Sequence, residues 1–224
     1  ERESVKARIN FFFIFRTPFK KMRWKLNNSY SVPMIESYSI FWRGTRSACS
    51  LECVMKRILF ICLGNICRSP MAEFIMRDLV KKAGVEEQVL CASAATSSEE
   101  IIYDIGNPMY PAAKAELKRR GIPCGEKRAV LLKRADYANY DYLICMEERN
   151  LRDAERILGK DPEGKLRLLL PFAEKAGEKA EIADPWYTGD FVTCADQITA
   201  GCEGLLRALG EAGVRPIAGG NTAC

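Results

Sequence analysis

The chain has no histidine among its 224 residues. That absence removes the Ser-His-Asp and Cys-His catalytic arrangements, histidine general bases and histidine metal ligands together. Cysteine is plentiful, at ten residues, yet no pair shows the repeated CxxC spacing of a zinc site. No internal repeat or long low-complexity tract is present. The most apolar stretch near the N-terminus, FFFIF at residues 11–15, is far too short to span a membrane.

Charge is unevenly spread. The net +5 divides into ten Lys/Arg against four Asp/Glu in residues 1–54, and 24 against 25 in residues 55–224. The basic balance therefore belongs to the N-terminal extension, and no nucleic-acid partner is expected for the remainder. Residues 1–54 show no sustained hydrophobic period and read as a disordered or artefactual extension. Basic residues around the aromatic run (Lys6, Arg8, Arg16, Lys20, Lys21) leave a membrane-surface segment as the sharper alternative. A signal peptide would need a small-residue cleavage site, and none closes the run cleanly. Met55 stands directly before the first clear strand. The cysteine density is too low for a secreted disulfide scaffold, and Cys62, Cys91 and Cys145 lie in apolar runs, so a reducing, cytoplasmic setting fits.

Residues 55–213 alternate short apolar strands with amphipathic helices and form the expected catalytic domain. Strands are predicted at 58–62, 88–92, 142–146 and 166–170, and helices at 69–82, 110–120, 147–158 and 191–209. Residues 130–135 read as short helical or irregular. Residues 93–107 read as a polar loop framing a surface near the first loop. Residues 171–187 are expected to be mostly loop, and 214–224 a flexible tail. The alternation predicts an α/β fold: a small, doubly wound, four-stranded parallel sheet with helices on both faces. Ligands in such folds bind beyond the carboxyl ends of the strands, which puts the Cys62 loop, Ser93 and Glu147 at the functional edge.

The most informative stretch is RILFICLGNICRSPMAE, residues 57–73. A buried strand runs into a tight loop, and Ser69 with Pro70 reads as a helix start, Ser as cap and Pro in the first helical position. Strand, loop and helix N-terminus make an anion site. Cys62 opens the loop and Arg68 nearly closes it, with Leu63, Gly64, Asn65, Ile66 and Cys67 between them. Their N–H groups can turn inward around a tetrahedral oxyanion. Gly64 permits a turn that a side chain would obstruct, and Arg68 can grip two oxygens as a planar fork. The N–H groups, the helix dipole and Arg68 favour a thiolate at Cys62, with Ser69 as a donor to it and Asn65 as a scaffold residue. Phosphoryl transfer asks for little beyond positioning and charge stabilisation. The glycines and GKS/GKT ending of a Walker loop are missing. The plainer reading of Cys62 is a buried structural thiol at a strand end.

With no histidine, an Asp or Glu is the natural proton donor for a leaving group. Asp184, in DPWY, fits: Pro185 restrains it, and Trp186 and Tyr187 limit its solvation and can wall a flat substrate ring. Taken alone, DPWY also reads as a turn with aromatic packing. Cys67 has two readings, a partner that traps oxidised Cys62 as a reversible disulfide or an inert packed thiol.

The segment ILFICLGNICRSPMAE resembles the low-molecular-weight protein tyrosine phosphatase family. The likeness continues through SAATS (93–97), IGNP (105–108), YLICMEERNLRD (142–153) and DPWY (184–187), in family order, over roughly residues 56–210. The resemblance implies a protein-tyrosine phosphatase needing no metal or other cofactor, acting on phosphotyrosine-containing proteins or small aryl phosphates. It implies that Cys62 attacks phosphorus and forms a cysteinyl-phosphate. Arg68 would stabilise the equatorial oxygens, and Asp184 would protonate the leaving phenolate and then activate water. Asn65, Ser69 and Ser93 would support the loop and thiolate, and Trp186 and Tyr187 would border the phosphotyrosine ring. The stretch between Ser97 and Gly106 is longer than in familiar eukaryotic members and resembles bacterial homologues; the 54-residue extension lies outside the family pattern.

Arsenate reductases and a protein-arginine phosphatase of the same fold are the enzymatic alternatives. The first use a downstream redox cysteine pair that this chain lacks, since Cys145 falls in a predicted strand and Cys124 stands alone. The second carries a small threonine where this loop has Ile66. A noncatalytic phosphate-binding module is the alternative from a different class, and it leaves the joint presence of Cys62, Arg68 and Asp184 without a purpose.

Overall fold

Lys56–Cys62 forms the first strand, β1, and its alternation decides the layering. Ile58, Phe60 and Cys62 join one core cluster while Leu59 and Ile61 join another, as a side-chain period of two requires. The computed structural model describes residues 55–174 and 180–216; the expectations for residues 1–54 and 217–224 lie outside the described residues. After β1 come α1 (Arg68–Lys82), β2 (Val89–Ala95), the short strands β3 (Ile101–Ile102) and β4 (Ile105–Gly106), and α2 (Pro111–Arg119). Then follow α3 (Asp136–Asn139), β5 (Tyr142–Cys145), α4 (Glu148–Leu158), β6 (Leu166–Leu168), a 3-10 turn (Leu170–Phe172), α5 (Pro185–Thr188) and α6 (Phe191–Glu211).

The main sheet runs in the order β2-β1-β5-β6, and every pair is parallel. This is the doubly wound, four-stranded sheet predicted from the alternation. The chain leaves β1 toward β2 and later returns on the other side as β5 and β6, so the winding reverses between β1 and β5. Open parallel sheets bind ligands at such a reversal, and the segments after Cys62 and after Cys145 both emerge there. Met71, Ile75 and Met76 of α1, Ala113 and Leu117 of α2, and Ile198, Cys202 and Leu205 of α6 cover one face with Ile58, Phe60 and Ile144. Ala154 and Leu158 of α4 cover the other with Leu59, Ile61, Leu143 and Cys145. Each fully buried Leu, Ile or Phe contributes about 2 kcal/mol, and this core is the rigid base of the site.

Several expected boundaries move. β2 runs on to Ala95, so Ser93 lies buried inside a strand and not in the polar loop; its hydroxyl finds polar partners, which is what lets it enter the core. The rest of that segment contains the antiparallel pair β3 and β4. Residues 130–132 run extended beside the end of β2, the Ala95 N–H donating to the Val130 carbonyl at 2.7 Å and the Leu132 N–H to the Ala95 carbonyl at 2.8 Å. The strand expected to reach residue 170 stops at Leu168 and turns, because Pro171 has no N–H for a sheet ladder. Past Gly213, Val214 is buried and the Gln88 side chain donates to the Arg215 carbonyl at 2.6 Å, so these residues are held and are not part of a free tail.

Candidate active site

Cys62 ends β1 and is 3% exposed. Its Sγ accepts the Asn65 N–H at 3.3 Å and lies 3.0 Å from Ser69 Oγ. The carbonyls of Cys62, Leu63 and Ile66 accept N–H groups of Thr96, Ser97 and Tyr110, each at 2.9 Å. Turning these carbonyls outward is how a loop aims its N–H groups inward. Helix α1 starts at Arg68 with Cys67 as its N-cap and no side-chain cap. Ser69, expected as the cap, spends its hydroxyl inside the loop, where it accepts Asn65 Nδ2 at 2.8 Å and keeps its own hydrogen free for a thiolate at Cys62.

The left-handed turn falls at Asn65, with φ 55°, and not at Gly64. Asn is among the few residues that tolerate this conformation, and three hydrogen bonds fix it here. Asn65 Nδ2 donates to Ser69 Oγ and to Ser93 Oγ, both at 2.8 Å, and Oδ1 accepts the Val130 N–H at 3.0 Å. Gly64 supplies space instead: a Cβ there would stand 2.9 Å from Glu100 Cγ.

The network continues inward. Ser93 Oγ donates to Glu73 Oε2 at 2.6 Å. Glu73 is 2% exposed, and Lys127 at 3.0 Å and Arg77 at 2.7 Å balance its charge. A continuous polar chain thus runs from the Cys62 sulfur through Ser69, Asn65 and Ser93 to a neutralised buried carboxylate. Sequence reasoning missed Glu73 and Lys127. The only signal was a glutamate on the apolar side of α1, and no local pattern pointed to Lys127.

Arg68 is 2% exposed. Its Nη1 donates to the Ile182 carbonyl at 3.2 Å; its Nη2 donates to Glu147 Oε1 at 3.0 Å and to Asp184 Oδ2 at 2.5 Å. Burial works against its charge, but the Glu147 hydrogen bond and the negative charges of Cys62, Asp184 and Glu147 hold it above the ordinary arginine range. Buried Asn150 steadies Glu147 through a 3.0 Å hydrogen bond. Burial first, then the neighbouring Cys62 charge, pushes the Cys67 thiol well up, so Cys67 stays protonated.

Asp184 is the N-cap of α5, its Oδ1 accepting the Trp186 N–H at 3.0 Å, with Pro185 in the first turn. Trp186 meets Tyr110 edge to face at 5.1 Å between ring centroids, and Tyr110 stacks on Phe191 at 5.8 Å. Tyr187 is 78% exposed. Cys62, Leu63, Gly64, Ile66, Cys67, Arg68, Asp184, Trp186 and Tyr187 line one pocket, together with Glu99 and Glu100. Asn65, Ser69 and Ser93 stand behind it and do not line it. Glu147, expected only at the functional edge, is a direct partner of the arginine.

A buried thiol and a guanidinium face one pocket at the winding reversal of a parallel sheet, an arrangement of the kind that suits a tetrahedral oxyanion. Residues 57–215 match the family model described as low molecular weight phosphotyrosine protein phosphatase. The chain is 36% identical over 155 residues to the low molecular weight protein-tyrosine-phosphatase YfkJ of Bacillus subtilis, covering 69% of this chain and 96% of that protein. It is 38% identical over 157 residues to the human low molecular weight phosphotyrosine protein phosphatase, covering 69% and 96%. The crystal structure of YfkJ superposes with a TM-score of 0.65 at 35% identity, over 71% of this chain and 97% of that one. A protein tyrosine phosphatase from Entamoeba histolytica superposes with a TM-score of 0.64 at 27% identity, over 70% and 98%. The chain belongs to the low molecular weight phosphotyrosine protein phosphatase family, and so to the hydrolases. Among the described residues no helix is long and apolar enough to cross a membrane.

Proposed function

We propose that the chain hydrolyses phosphotyrosine on proteins, and small aryl phosphates, through a cysteinyl-phosphate on Cys62. The observation that carries this is the single pocket shared by Cys62, Arg68 and Asp184. The Cys62 thiolate attacks phosphorus in line, the bond from phosphorus to the aryl oxygen breaks, and Asp184 passes its proton to that oxygen. Asp184 then takes a proton from water, the water oxygen attacks phosphorus, and the S–P bond breaks. The returning thiolate is received by the Ser69 hydroxyl and the Asn65 N–H. One oxygen of Asp184 accepts from Arg68 Nη2, beside Glu147 on the same nitrogen. The Ile182 carbonyl and Glu147 hold the Arg68 guanidinium, and Asp184 must carry its proton when the substrate dianion is bound, the proton that water returns to it in the second step.

The apolar lining by Leu63 and Ile66 and the aromatic wall at Trp186 and Tyr187 support an aryl phosphate. Cys145 is fully buried in the sheet, and among the described residues only Cys62 and Cys67 bring thiols to the pocket, which favours phosphatase over arsenate reductase chemistry. The described cysteines are free, and a cytoplasmic setting fits them. Hydrolysis of para-nitrophenyl phosphate without added metal is the test. Cys62→Ser should abolish it, and an active Cys62→Ser protein overturns the mechanism. Parallel assays with phosphotyrosine peptide, phosphoarginine and arsenate should show turnover of the first.

A further inference from the structure

We propose that Glu99 and Glu100 determine specificity, selecting phosphotyrosine flanked by lysine or arginine over phosphotyrosine flanked by acidic residues. This rests on the phosphotyrosine reading of the same pocket. Both glutamates line that pocket together with the cysteine, the arginine and the aromatic wall. Carboxylates at the mouth of a site for a phosphate dianion repel the group it takes. Their presence is productive only if another part of the substrate is cationic.

Glu100 is held in place. Its Oε2 accepts Asn107 Nδ2 at 2.8 Å, and its carbonyl accepts the Asn107 N–H at 2.7 Å. Its Cγ lies over Gly64, in space that any side chain there would take. The base of the hairpin packs closely, Gly106 passing so near the Ala129 carbonyl that a Cβ would stand 1.9 Å from that oxygen. The Ala129 N–H closes the junction on the Asn107 carbonyl at 2.9 Å. Glu99 is exposed beside it, its N–H donating to Ser97 Oγ at 3.3 Å.

The charge on this rim is open. Among the described residues neither glutamate has a Lys or Arg within ion-pair distance. The one Lys or Arg lining the pocket is Arg68, and Glu147 and Asp184 already pair with it. Trp186 and Tyr187 add exposed aromatic faces that attract cations. A basic side chain next to the phosphotyrosine meets fixed carboxylates and ring faces. An acidic one meets repulsion with nothing to offset it, which is how selectivity is built against the wrong partner.

The test uses the full chain and three phosphotyrosine peptides of equal length, with alanine, lysine or glutamate on both sides of the phosphotyrosine. The expected order of kcat/KM is lysine, alanine, glutamate, with about tenfold between the ends, carried mainly by KM, as several exposed charge pairs would produce. Raising salt from about 50 mM to about 500 mM should compress the order, because exposed charges are screened. In the Glu99→Gln/Glu100→Gln double variant the spread should fall to within about twofold. Glu99→Lys, which leaves the Asn107 contacts of Glu100 alone, should move the order toward the glutamate peptide. Equal rates for all peptides, or a spread unchanged in both variants, overturns the proposal. Failure to hydrolyse even the alanine peptide, with para-nitrophenyl phosphate also inert, overturns the phosphatase reading instead.

Discussion

Asn65 and Tyr103 share a backbone conformation and little else. Both are left-handed, at φ 55° and φ 50°. Asn65 sits in the cradle formed by the Cys62 loop, 1% exposed, with its side-chain amide in three hydrogen bonds. Tyr103 sits at the tip of the rim hairpin, 94% exposed, and is followed by Asp104 at φ 62°. In the cradle an unfavourable conformation is held by a buried network that runs on to the Cys62 sulfur. On the rim a similar conformation closes a hairpin of two-residue strands, and packing does little to hold it. The cradle is built to be rigid, and the rim is built to be seen.

Among changes that keep Cys62, the largest effect should come from Asp184, which belongs to both regions through Arg68 and the Trp186 N–H. Asp184→Asn keeps the cap and a neutral contact to the arginine but cannot deliver a proton. It should lower kcat by about 10²- to 10⁴-fold with KM unchanged or reduced in steady-state assays. A fall confined to KM would mean that the residue only shapes the rim. Next comes Asn65→Ala, which strands the Ser69 and Ser93 hydroxyls and the Val130 N–H together. It should cost about 2–4 kcal/mol in denaturant unfolding and lower kcat/KM by roughly one to two orders of magnitude. Asn65→Gly relieves the backbone but not the network. If it restored activity, backbone conformation and not hydrogen bonding would be what the cradle needs.

A smaller effect is expected behind the aromatic wall. Trp186 leans on Tyr110, the residue before α2, and that helix is tied to α6 through Glu116, Arg120 and Asp196. The Arg119 hydrogen bond, with that of Arg120, outweighs burial and holds the Glu116 carboxyl below its usual range. A depressed folded-state value stabilises the fold above the unfolded value, near pH 4.3, and that contribution is lost as pH falls through the folded value. Glu116→Gln should therefore lower Tm by about 3 °C near neutrality, and the gap to the parent should close as the pH drops below about 4. A gap constant with pH would assign the effect to packing.

What could be read in the sequence followed the same division. Cys62, Arg68 and the run from β1 into α1 are local, so spacing alone exposed them. Asn65 reaches Ser93 across 28 positions and Val130 across 65, and Arg68 reaches Glu147 across 79. No periodicity reports such pairs. The strand-end rule put Ser93 at the functional edge, but its role beside the loop came only with the family resemblance. The obstruction expected of a side chain at Gly64 is real, since a Cβ there would stand 2.9 Å from Glu100 Cγ, but the left-handed residue is Asn65, where a buried amide with three partners holds the turn. The rim hairpin stayed hidden because strands of two residues are shorter than any pattern window, and Glu99 and Glu100 read only as loop polarity.

The smallest prediction tests whether the rim's strain is free of function in the cradle. A tyrosine has no local hydrogen bond with which to offset φ 50°, and a side chain 94% exposed recovers little by packing. Asn and Gly accept this backbone, so Tyr103→Asn and Tyr103→Gly both remove strain, while Gly also loosens the unfolded chain. Tyr103→Asn should raise stability by about 0.5–1 kcal/mol and Tyr103→Gly by less, read from urea midpoints at constant m. Turnover of para-nitrophenyl phosphate should stay within about twofold in both, since the Cys62 loop is fixed by contacts that do not pass through the hairpin tip. A loss of turnover with gained stability would couple tip to cradle through Glu100 and Gly64. In that case the rim would set the cradle's geometry.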